Sequence, residues 1–148
     1  MWEWPARWRR GNARANLLTH VRAVGVTSKG DIPGRFMDQI SYNDFARIDI
    51  RVGRVVSADE FPHARKPAYR LRIDFGPELG LKHSSAQITK YYDPTDLVGK
   101  LVLAVVNFPP RQIANFFSEV LTLGVILGEG DICLVHPDRD VPLGSPIR

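Results

Sequence analysis

Apolar and polar positions alternate most strictly over Tyr69 to Phe75. There Tyr69, Leu71, Ile73 and Phe75 are interleaved with Arg70, Arg72 and Asp74. A period of two over seven residues predicts a half-buried strand with one core face and one face carrying two guanidinium groups. Ile48, Ile50 and Val52 alternate with Asp49 and Arg51, which predicts an earlier strand. Gly53 falls where that alternation breaks, and reads as a bulge or sharp coil. The apolar runs Leu101–Val106, Val120–Leu127 and Ile132–Val135 predict buried strands. Leu81–Ile88 is a further strand with small hydroxyl side chains at Ser84 and Ser85.

Between the runs lie turn and helix signals. Ser41 or Asn43 can cap a short helix through Asp44, Phe45 and Ala46. Asp93-Pro94 suits a helix start, with Gly99 as its terminator. Phe61–Pro67 is a loop with His63, Arg65 and Lys66 between two prolines, and the tail His136–Arg148 is too rich in proline to be anything but extended or turned. Five or six short strands, with one short helix before the fourth, predict an all-β, five-stranded Greek-key barrel of the OB-fold type with N- and C-terminal extensions. The stretch Asn107–Val120, NFPPRQIANFFSEV, interrupts two of the core strands. Pro109 and Pro110 end the first strand, and Ile113, Phe116 and Phe117 are spaced for one face of a single helical turn. A rigid, polar-tipped excursion between core strands is a natural place for binding residues.

Charge changes the picture at one end. Of the 20 basic and 16 acidic side chains, residues 1–36 hold seven and two, so this segment has an excess of five positive charges. Residues 37–148, with 13 basic against 14 acidic, are close to neutral. A polyanion would therefore have to meet a local patch and not an overall field. Residues 1–36, where Trp2, Trp4 and Trp8 mix with Arg7, Arg9 and Arg10 without a period, read as a basic, disordered extension. The competing reading is an Arg/Trp arm for nucleic acid or an anionic membrane. Residues 37–148 form the one domain.

The single Cys133 excludes an intrachain disulfide and the cysteine-rich zinc sites, and it suits a reducing, cytoplasmic setting. It lies in an apolar run and reads as an inert core residue. No apolar run approaches the roughly 20 residues of a membrane-spanning helix. The chain lacks the common hydrolase, metalloprotease, phosphate-loop and dinucleotide motifs. His20, His63, His83 and His136 are scattered, so neither a metal nor a cofactor is expected, and the protein reads as non-enzymatic.

FPHARKPAY, RIDFG, SSAQIT, VVNFPPRQIA and SEVLTLG, in this order, resemble the CsaA proteins. These belong to the wider tRNA-binding-domain group of OB-folds. The resemblance runs from about Ile40 to the C-terminus. It implies an OB-fold, a homodimer, export-related chaperone activity on unfolded or presecretory polypeptides, and tRNA binding as the alternative. Carried over by motif, the RNA-binding candidates are Arg65, Lys66, Ser84, Ser85, Gln87, Asn107, Arg111 and Ser118. The peptide-binding candidates are Phe108, Pro110 and Phe116. Relatives specialised for tRNA usually carry a glycine, a basic residue and a Ser-Gln-Gly-Met-like run after the Pro-Arg element. Here that region reads Asn115 to Val120, with Phe116, Phe117 and Glu119 in place of cationic character.

The basic set Arg65, Lys66, Arg70, Arg72, Lys82 and Arg111 could follow a phosphate backbone, or could be a solvated strand face paired with Asp74, Glu78 and Glu119. Tyr69 shares the parity of Leu71 and points inward. Phe116 is expected to be the open aromatic, with Ile113 and Phe117 in the core or in a dimer seam. That seam is expected to use Ile40–Phe45 and Val141–Ile147, whose apolar residues would otherwise be bare.

Overall fold

A computed structural model describes residues 37–148, so the readings made of residues 1–36 lie outside the described residues. Helix α1 (Tyr42–Ala46) leads into β1 (Ile50–Glu60), β2 (Tyr69–Asp74) and β3 (Leu81–Ala86). Helix α2 (Pro94–Leu97) precedes β4 (Leu101–Val105), and the hairpin β5 (Arg111–Ile113) and β6 (Phe116–Ser118) follows. Short strands β7 (Leu121–Thr122), β8 (Gly124–Ile126) and β9 (Ile132–Leu134) complete the chain before the tail.

The main sheet has five antiparallel strands in the order β3-β2-β1-β4-β7. Its two edges meet: the N–H groups of Glu119 and Val120, just before β7, both donate to His83 O on β3, at 2.8 and 3.3 Å. The sheet thus curls into a nearly closed barrel, the OB-fold that the strand count predicts. The alternation in β2 falls as its sequence dictates. Tyr69, Leu71 and Ile73 are buried and Arg72 is exposed. With Phe75, Ile88, Val102, Ala104, Val120 and Leu134 they form the core. Leu97 of α2, fully buried, joins that core.

Capping follows local chemistry. The Ser41 hydroxyl accepts from Asp44 N–H, and the Asp44 carboxylate accepts from Ser41 N–H, a reciprocal box that starts α1. Asp93 and Pro94 start α2, although the Asp93 side chain makes no capping bond.

Four readings need correction. The irregularity in β1 lies between Val55 and Ser57, not at Gly53. Gly53 is instead a point of close approach: a Cβ there would lie 2.5 Å from Ile73 Cγ2 and 2.7 Å from Phe75 Cε1. Val120–Leu127 is not one strand. It changes partner around Leu123, leaving β4 for β9, and Gly124 then passes so close to β9 that a Cβ there would meet Ile132 Cγ2 at 2.2 Å. The expected helical turn at Ile113–Phe117 is a hairpin with a two-residue turn, in which Ile113 faces Phe116 and Phe117 points to the opposite side. Cys133 is exposed, because the inward position of β9 belongs to its neighbour Leu134. Among the described residues no helix is long and apolar enough to cross a membrane.

Candidate functional site

One groove of about 1180 Å³ runs between the loop after β1 and the β5–β6 finger. The loop is pinched at its neck. Phe61, buried, donates its N–H to Ala68 O at 3.0 Å, and Ala64 N–H donates to Phe61 O at 3.1 Å. Arg65 and Lys66 are thereby held out at the rim as exposed side chains. The opposite wall is Phe108, Pro109, Pro110, Arg111 and Gln112. Here the prolines end β4 and turn the chain outward before the finger begins. Between the walls lies an apolar floor of Ala86, Ile88, Val120, Leu121, Ile132 and Leu134.

The groove therefore brings together Arg65, Lys66, Ser85, Gln87, Phe108, Pro110, Arg111 and Ser118 from four separate stretches of sequence. Gln112, Leu121 and Ile132 are additional lining residues that motif matching did not single out. The parity of Leu121 against buried Val120 is the signal that could have found it.

Three candidates fall elsewhere. Ser84 is fully buried, contrary to its reading as a ligand contact. It shares the inward parity of Ala86, and its hydroxyl donates to Val120 O at 3.2 Å and accepts from Thr122 Oγ1 at 2.8 Å. Asn107 pins the base of the finger. Its Oδ1 accepts from Asp49 N–H at 3.0 Å and its Nδ2 donates to Arg47 O at 2.8 Å, so both polar ends are used inside the molecule. Phe116, expected open, is half-buried and outside the groove lining, 5.5 Å from the Phe61 ring and 5.9 Å from His83. Phe117 is the open ring, 57% exposed. The hydroxyl of Ser118, although at the groove, accepts from Ser85 N–H and donates to Val120 O, both at 3.1 Å. These serines serve as the seam that joins β3 to the closing strand.

Electrostatics favour an anionic or polar occupant at the rim. Among the described residues, Arg65, Lys66 and Arg111 take part in no ion pair. Among the described residues Glu119 is the sole acidic side chain lining the groove. Its carboxylate is turned onto β3, where it accepts from His83 N–H at 2.9 Å, meets His83 Nδ1 at 2.9 Å and lies 3.7 Å from Lys82 Nζ. Burial pushes the Glu119 pKa up, but the two His83 contacts and Lys82 together outweigh it and hold the group below its ordinary value. Arg70 does not reach the groove; its guanidinium lies 5.7 Å from the centroid of the Phe61 ring. No group of three or more acidic, histidine or cysteine side chains among the described residues is placed to hold a metal.

Comparisons with known proteins agree with this geometry. Residues 50–146 match the family described as a putative tRNA binding domain. The methionine–tRNA ligase of Methanocaldococcus jannaschii is 36% identical over 115 residues, 78% of this chain and 17% of that protein. The ligase of Thermococcus kodakarensis is 32% identical over 115 residues, 78% of this chain and 15% of that protein. The chain thus spans about a sixth of the length of these curated relatives. Among the solved structures that this chain matches over their whole length are two CsaA chaperones. One is a chaperone CsaA of Bacillus anthracis str. Ames, 51% identical, covering 75% of this chain and 100% of its own, with a TM-score of 0.72. The other is a CsaA chaperone protein of Picrophilus torridus, 54% identical, covering 74% and 100%, with a TM-score of 0.70.

Proposed function

The chain belongs to the tRNA-binding-domain family, and within it to the CsaA proteins, and from that premise we propose that it is a non-catalytic chaperone that holds unfolded or presecretory polypeptides in the groove beside the finger. The working unit is residues 37–148, acting in the cytoplasm as a homodimer. One observation carries the reading: an apolar floor large enough for several side chains lies beneath a rim of unpaired cations. Such a surface takes apolar segments of any sequence and leaves their polar groups at the wet edge.

The test is light scattering of a denatured presecretory protein diluted into buffer with and without the chain. Suppressed aggregation is expected. A Phe108→Ser/Leu121→Ser double variant should lose most of that effect with an unchanged circular dichroism spectrum, because both side chains line the groove and are about half exposed. Wild-type protein without effect at any ratio would refute the reading.

A second reading, structure-selective tRNA binding, draws support from the family match and from the unpaired Arg65, Lys66 and Arg111. It requires salt-sensitive retention of tRNA. Undetectable retention at low salt dismisses it.

A further inference from the structure

Resting on the polypeptide reading of the groove, we propose a binding mode: an extended client segment adds to the outer edge of β5 as one more strand, held by main-chain hydrogen bonds. β5 is paired with β6 on one side only. Among the described residues no backbone hydrogen bond outside the hairpin reaches it. Pro109, Pro110, Arg111, Gln112 and Ile113 all line the groove, so the bare edge borders the apolar floor. An unpaired strand edge is a template for another chain, and folded proteins ordinarily cover or blunt it.

The hairpin pattern identifies the bare groups. The turn spans two residues, Ala114 and Asn115, so Ile113 and Phe116 form a hydrogen-bonded pair. Two residues on, Arg111 and Ser118 form the next. Gln112, opposite Phe117, is the intervening position, whose N–H and C=O point away from β6. The prolines before it have no N–H to offer. The edge therefore centres on the main chain of Gln112, with Arg111 beside it. Polypeptide matches this edge and RNA does not, because a nucleic acid has no repeating amide to complete a ladder. Every residue of an unfolded protein but proline has one, whatever its side chain, which suits a binder of many clients.

The strand period supplies the test. A capped, labelled peptide of alternating valine and threonine is titrated into the intact chain. It is then replaced, position by position, by peptides carrying one N-methyl group. An added strand turns alternate amides toward its partner, so affinity should fall with a period of two, by about fivefold at each sensitive position. Gln112→Pro, which removes the edge donor at a position where an edge strand tolerates proline, should lower affinity for the parent peptide to a similar degree. Gln112→Ala, which keeps the edge N–H and loses only the side chain with its bond to Ala114 O at 3.1 Å, should lower affinity far less than Gln112→Pro does. Peptide binding that ignores N-methylation overturns this inference alone and leaves the chaperone reading standing. Absence of any peptide binding, together with absence of aggregation suppression, removes both.

Discussion

A missing side chain at Gly53 lets β1 pass against Ile73 and Phe75, both fully buried. Gly53→Ala is expected to destabilise the fold by about 1–3 kcal/mol, the usual cost of forcing atoms into a packed core. Chemical denaturation checks it, and an unchanged midpoint would show that the sheet can give way there. Glu119 acts at the same scale through charge. Because its pKa is held below the ordinary 4.5, its contribution to stability is fully present above that value. It is lost as pH falls through the lowered folded-state pKa. Glu119→Gln should therefore lower the melting temperature at neutral pH and flatten its decline below about pH 4.5. A variant whose decline keeps the wild-type slope would mean that other carboxylates carry the acid response. Side-chain identity made Arg65, Lys66 and Arg111 legible as candidates, since cations next to prolines in loops are seldom buried. It misled at Ser84, where the parity of the strand outweighs the polarity of the hydroxyl, and at Asn107, where an exposed amide is consumed by the backbone of a segment far away in sequence.

At the scale of elements, the finger departs most from what periodicity suggested. Ile113, Phe116 and Phe117 have a helical spacing, but eight residues between two prolines and a closing strand are too few for a stable helix and enough for a hairpin. Its turn is unusual, because Ala114 adopts φ = 50°, a left-handed conformation that an L-residue enters at a cost of about 1–2 kcal/mol. Ala114→Gly should relieve that strain, less the entropy lost by glycine, for a net gain of about 0.5–1 kcal/mol in the hairpin. Amide exchange should slow at Ile113 and Phe116, and faster exchange would argue that the turn is held by its surroundings and not by its own torsions. The two aromatic positions provide a contrast within one strand. Phe116→Ser removes edge contacts to Phe61 and His83 and should cost about 2 kcal/mol, whereas Phe117→Ser should leave stability within about 0.5 kcal/mol of wild type. The regular elements β2, α1 and α2 were legible because each is specified by its own residues. The finger and the split around Leu123 were not, because long-range partners set them.

At the scale of the molecule, barrel closure makes a site out of stretches that lie far apart in the chain, and only the resemblance to a family, not periodicity, could have joined them beforehand. Closure also decides what is left uncovered. The tail is consumed internally: Ser145 O accepts from Val52 N–H, Gly144 N–H donates to Val52 O and Ile147 N–H donates to Ile50 O, so it runs along the part of β1 that β2 leaves unpaired. Of the two segments expected at a dimer seam, the tail is thus partly occupied, and the α1 segment is exposed among the described residues apart from half-buried Phe45. Helix α1 buries no residue within its own protomer, and Ile40 and Tyr42 are 69% and 66% exposed. A five-residue helix is well below the length that is stable in water by itself. Its cap satisfies the first amides but supplies no hydrophobic burial. Among the described residues only Phe45 of this helix is even half-buried, and in the dimer proposed above a second copy of the chain covers its apolar side chains. Ile40→Asp/Tyr42→Asp should therefore shift sedimentation equilibrium from dimer toward monomer, since each charge would have to be buried without a partner. The finger and groove lie on other elements, so peptide affinity per protomer should change little in the same variant. A wild-type protein that sediments as a monomer at micromolar concentration would leave α1 without a partner and end the dimer proposal, while the groove and its strand edge would still stand on the single barrel.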